Sequence, residues 1–216
     1  MKNKFIKIFL LDLAYFISFI ILIFFLRTQV RNLLAKIQSY GLQLNIINPQ
    51  ENIVEAQELL QSLSSLSLNT YLFVIILAPL SIFLIYIIFQ GFSYYFLKKE
   101  KHYYSRFILV SLIAYAFFIL LIFKYHLILL ILAILVSYFA FLFYFKNFKD
   151  YKLAFTKIYK ILPLYLLYII LAFLIIASFF VSYLSLLAQA NFGYIFLGII
   201  LTLIFSYYKI NLVKWI

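Results

Sequence analysis

An all-α, polytopic integral membrane fold with six transmembrane helices is what this sequence predicts, and three observations predict it. Of its 216 residues 68% are apolar and only 11% charged, with a mean hydropathy of +1.13, whereas soluble domains carry about a quarter charged residues. Its apolar runs reach roughly 20 residues, the length a helix needs to cross hydrocarbon. Its cations cluster in alternate loops, as the positive-inside rule requires of a threaded chain.

Residues 1–7 are short and basic, and the apolar run 5–26 follows. That run is too long for the core of a secretory signal and no small-x-small cleavage pattern follows it, so it is expected to remain as the first span. The stretch 27–70 is the one long segment not dominated by apolar residues. Val30, Leu33, Leu34, Ile37, Tyr40 and Leu44 recur there at spacings of three and four, the period of an amphipathic helix. Gly41 and the run Asn45–Pro49 are expected to break it. Asn48 as a cap, Pro49 at the first helical position and Glu51 in the first turn then predict a second helix. The Ser–Leu alternation of 62–68 fits a strand period as well as a helical one. The expectation is an extracytoplasmic helical hairpin inserted between spans one and two.

The remaining spans are predicted over 71–97, 107–123, 127–145, 161–187 and 192–208. Pro79 falls inside the second, and Pro163 near the start of the fifth, where proline is tolerated. Six spans put 14 of the 18 Lys and Arg on one side, in the N-terminus, loops 98–106 and 146–160, and the tail 209–216; Arg27, Arg31, Lys36 and Lys124 lie on the other. Both termini are therefore expected in the cytoplasm of a multi-pass cell-membrane protein, with the hairpin outside. Tyrosines such as Tyr94, Tyr95, Tyr103, Tyr104, Tyr207 and Tyr208 gather at the same boundaries, as an interfacial aromatic belt does. The +12 charge follows topology, so nucleic acid is not implied. Two similar span–basic loop–span segments are explained by these interface rules as well as by duplication.

Loop 146–160 carries Phe148, Tyr151, Phe155 and Tyr159 on one helical face, with Lys146, Lys149, Lys152, Lys157 and Lys160 on much of the other. This predicts a cytoplasmic amphipathic helix lying on anionic headgroups, or docking a protein partner. The hairpin is the other candidate partner surface.

Asp12 is the one acidic residue within an apolar run, and an ionisable group there is a functional candidate unless it pairs or reaches the interface. Gln90 joins it as a candidate intramembrane polar site, and Ser81, Tyr15, Tyr86, Tyr115 and Tyr138 could line a polar path. No Lys or Arg is expected inside a span; Lys209 counts with the cytoplasmic tail. Ser178, Ser182 and Ser185, and Gly198, Thr202 and Ser206, form stripes of small residues that suit close helix packing with hydrogen bonds across the interface. With Cys absent, His102 and His126 on opposite sides, four glycines in all, and no HExxH, GxSxG or phosphate loop, no catalytic set, cofactor or metal is expected. The reading is a non-enzymatic scaffold or membrane subunit of a larger complex. The alternative is a small transporter, or the membrane component of one, working through Asp12.

Overall fold

The computed structural model describes residues 2–46, 52–98, 102–122, 127–145, 156, 158–187 and 193–215, and every described element is helical. Six helices follow in order: α1 (Lys2–Ile46), α2 (Ile53–Lys98), α3 (Tyr103–Ile122), α4 (Leu127–Phe145), α5 (Ile158–Leu187) and α6 (Gly193–Trp215). Four of them, α1, α2, α5 and α6, are long and apolar enough to cross a membrane. In α3 and α4 the apolar stretches Tyr103–Phe117 and Leu132–Phe145 are shorter.

The chain divides into two compact units, residues 1–20 with 83–216, and residues 21–82. In the first, α5 packs along α6, α3 along α4, and the last third of α2 against α3. Aromatic rings fill its core: Phe107 and Tyr144 lie 4.5 Å apart by centroid, Tyr168 and Phe205 stack at 4.5 Å, and Phe16 meets Phe205 edge-on at 5.3 Å. Such pairs contribute about 0.5–1.5 kcal/mol each beyond the area they bury. At Gly198 a Cβ would lie 2.9 Å from the Phe179 ring and 3.0 Å from Ser178 Oγ, so α5 and α6 approach as closely as they do because no side chain stands there. The second unit has no comparable core. Among its described residues only Ala56 is buried, while Leu42, Val54, Leu60 and Leu68 are exposed.

Three sequence expectations need correction. The break at Gly41 does not occur: α1 runs through it to Ile46. A mid-helix glycine costs about 1 kcal/mol, and continuing the helix keeps its backbone hydrogen bonds. The hairpin's second helix and span two are not separate, because α2 is continuous from Ile53 to Lys98. The Ser–Leu alternation, which fits either period, is helical as the hairpin reading has it, with Ser65 Oγ donating to Ser62 O at 2.9 Å and Thr70 Oγ1 to Leu66 O at 2.8 Å; hydroxyls satisfied by their own preceding turn need no strand partner. Finally, α6 does not end at Tyr208 but continues to Trp215.

Residues 47–51 lie outside the described residues, and with them the expected cap at Asn48, Pro49 and Glu51; α2 opens instead after Asn52, whose side chain makes no cap bond. Most of the expected amphipathic helix, including Lys146, Lys149, Lys152 and Lys157, also lies outside them, whereas Lys160 falls in the first turn of α5. Two π-helical turns interrupt α2, at Phe73–Leu77 and Tyr86–Gln90. The first ends two residues before Pro79, whose ring crowds the carbonyl four residues back, at Ile75 within that turn, and whose nitrogen cannot donate, so a wider turn relieves the clash.

Candidate functional site

Three helices of the first unit bring polar side chains to one point. On α1, Ile8, Asp12, Phe16 and Ile20 are all buried, and their spacing of four places them on one face. Asp12 is thus held inward by the same stripe that packs the helix. On α2 the second π turn ends at Gln90, followed by Gly91, Ser93 and Tyr94, all buried. A Cβ at Gly91 would lie 3.0 Å from the Tyr104 ring and 3.1 Å from that of Phe107, which fixes how closely α2 approaches α3. On α6, Thr202, Phe205, Ser206, Lys209 and Leu212 form the buried stripe.

Asp12 and Lys209 form an ion pair of 2.8 Å, and both side chains have 0% exposure. Lys209 Nζ also donates to Gln90 Oε1 at 2.6 Å and to Ser93 Oγ at 2.7 Å, which accounts for all three of its N–H groups. It sits 3.9 Å from the centre of the Tyr94 ring, a cation–π contact. Asp12 Oδ1 accepts from Lys209, from Ser93 Oγ at 2.9 Å and from Gln90 Nε2 at 3.2 Å; Oδ2 accepts from Ser206 Oγ at 2.8 Å. Ser93 therefore donates to the carboxylate while accepting from the ammonium, and Gln90 uses both ends of its amide. Among the described residues these groups bond to one another.

No family model, curated protein or solved structure matches this chain. Its chemistry must be argued from these side chains.

Hydroxyl pairs lie around the network. Tyr94 and Tyr168 share a hydrogen bond of 2.6 Å, and Tyr86 and Tyr144 one of 3.1 Å, with Ser111 Oγ donating to Tyr144 Oη at 3.0 Å. Of the expected polar-path residues, Tyr15 and Tyr86 are in ring contact at 6.2 Å, Tyr115 stacks on Phe83 at 4.8 Å, and Tyr138 meets Tyr165 edge-on at 5.7 Å. Ser81 donates to Leu77 O of its own helix.

Asp12 and Gln90, singled out from the sequence, do come together. Lys209 and Ser93 were missed. Lys209 reads as part of the tail because it follows the last long apolar run, 192–208, and that rule counts hydropathy without asking which face a residue occupies. The available signal was the stripe Gly198, Thr202, Ser206, which Lys209 extends by three residues. Close packing is seen where Gly198 meets Phe179 and Ser178, and three of the stripe hydroxyls bond within their own helices. Ser178 Oγ donates to Ile175 O, Ser182 Oγ to Ser178 O and Thr202 Oγ1 to Gly198 O, each within its own helix. Ser206 does reach across, to Asp12. The side chain of Ser185 lies outside the described residues.

Proposed function

We propose that this chain is a non-enzymatic, multi-pass protein of the cell membrane, a scaffold or membrane subunit of a larger complex. In this reading six spans cross the bilayer, both termini are cytoplasmic, and residues 27–70 face outward. The observation that carries it is the Asp12–Lys209 network. Among the described residues the carboxylate, ammonium, amide and hydroxyls bond to one another between α1, α2 and α6, an arrangement suited to holding the three helices together. The neutral sum of these groups suits lipid, where an unpaired charge at the centre of a span costs about 2.5–3.5 kcal/mol. The exposed apolar side chains of residues 21–82 support a role in contacting other molecules. At 45 and 46 residues, α1 and α2 are also about twice the length a bilayer needs, which leaves much of each outside hydrocarbon.

A second reading, a small transporter or the membrane component of one, draws on one observation: the π turn Tyr86–Gln90 ends on a member of the network, and π turns recur at functional sites. Because the chain has no cysteine, single cysteines at Ser62 and Thr156 give a clean topology test. The first should react with an impermeant maleimide from outside intact cells and the second should not. Cross-linking in membranes should then capture a discrete partner, while proteoliposomes of the pure protein show no proton or cation flux. Flux abolished by Asp12→Asn would overturn the scaffold in favour of the transporter.

A further inference from the structure

Where α1 begins and α2, α4 and α6 end, the first unit holds a cavity of about 250 Å³. Lys4, Lys98 and Lys214 line it, one from each of α1, α2 and α6, with Leu97, Phe145, Ile210 and Val213 supplying an apolar floor. Among the described residues no carboxylate lines it. Lys4 Nζ donates to Leu97 O at 2.8 Å, and Lys98 Nζ donates to Phe145 O. These bonds cap the carbonyl ends of α2 and α4, whose dipoles favour cations, and they hold two ammonium groups at the rim. Capping accounts for a lysine at each helix end. It does not account for three cations around one shared cavity.

We infer that this cavity is a binding site for the phosphate headgroup of an anionic phospholipid of the phosphatidylglycerol type. The phosphate meets the three ammonium groups, and the first methylenes of its chains lie on the apolar floor. A cationic rim over an apolar base at the end of spanning helices suits an amphiphile better than a free anion, and basic pockets between helices on the cytoplasmic side are where such headgroups bind. The site also joins the helices that the ion pair joins. Lys4 lies eight residues before Asp12, Lys98 five after Ser93, and Lys214 five after Lys209. An occupied site therefore ties α1, α2 and α6 a second time, one to two turns from the network. The inference rests on the membrane reading above.

The test is retention of lipid by the full chain released from mixed phosphatidylglycerol–phosphatidylcholine nanodiscs, read by native mass spectrometry. The wild type should keep one phosphatidylglycerol in preference to phosphatidylcholine. Each neutralised lysine should weaken that binding about fivefold, and K4Q/K98Q/K214Q together about a hundredfold. Replacing all three with Arg should retain the lipid. R31Q/K36Q, which removes exposed charges of α1 that do not line the cavity, should retain it too. A triple Gln variant that binds within about threefold of wild type would overturn the inference, as would equal retention of the two lipids by wild type. Should the triple variant not fold, short-chain phosphatidylglycerol and phosphatidylcholine are titrated against the wild type and its unfolding temperature is followed. A rise with the anionic lipid alone supports the site, and equal rises reject it. Release of the chain by alkaline carbonate would sink the membrane reading itself, whereas an embedded chain without lipid preference sinks this inference alone.

Discussion

Asp12→Asn removes one charge of the buried pair and leaves Lys209 Nζ without a counter-ion at 0% exposure. Breaking a buried pair on one side costs about 3–5 kcal/mol. The low end applies here, because Lys209 keeps its bonds to Gln90 and Ser93 and its place over the Tyr94 ring. About 3 kcal/mol corresponds to a fall in unfolding temperature of roughly 6–12 °C for a chain of this size. Lys209→Met should cost about as much, because it strands the carboxylate with only neutral donors. The double variant Asp12→Leu with Lys209→Met removes both charges while keeping most of the volume, and buried pairs replaced by apolar residues are often neutral or better. It should recover to within about 1–2 kcal/mol of wild type, with Gln90, Ser93 and Ser206 left to bond among themselves. The assay is a double-mutant cycle of thermal unfolding in one detergent, where those losses correspond to a coupling of about 4–5 kcal/mol. Strictly additive losses, or single variants as stable as wild type, would refute the idea that the pair clamps the three helices. The same double variant divides the two functional readings, since a scaffold should still hold its partner and a transporter working through Asp12 should be dead.

Gly198→Ala places a methyl group 2.9 Å from the Phe179 ring and 3.0 Å from Ser178 Oγ, and should lower stability by about 1–3 kcal/mol; a thermal scan that finds it neutral would show that the ring yields freely. Tyr144→Phe removes the hydroxyl that links Ser111 to Tyr86 and should cost about 1–2 kcal/mol. Adding Ser111→Ala should recover part of that loss in the same scan, because it removes a stranded donor.

How much of this was legible beforehand depends on which rule each feature obeys. Hydropathy and length are properties of a segment, so the four helices that meet membrane length lie where apolar runs placed them. Helix ends are set by competition, and there the reading failed. Gly41 carries a local signal for a break, yet a continuous ladder of backbone bonds outweighs about 1 kcal/mol of propensity. Asp12 was conspicuous because no neighbour shares its chemistry. Lys209 was hidden because thirteen other cations satisfy the positive-inside rule, and nothing in a charge count separates a lysine in the headgroups from one turned inward. Only the packed register of α1, α2 and α6 makes that distinction.

That register needs a cause, because the apolar faces do not supply one. Phe, Ile and Leu recur along every helix, so a helix slid or rotated by a few residues presents nearly the same surface to its neighbours. In lipid the penalty is smaller still, since hydrocarbon solvates an exposed leucine about as well as another helix does. An ion pair between residues 197 apart in sequence, with Gln90, Ser93 and Ser206 meeting the same carboxylate, has no such degeneracy. Shifting α1 or α6 by a turn strands a charge, and shifting α2 takes Gln90 and Ser93 away from both charges. The pair adds little net stability, as the near-neutral double variant should show, but it makes the wrong registers costly. That is why an otherwise uniform apolar bundle retains one aspartate and one lysine at its centre.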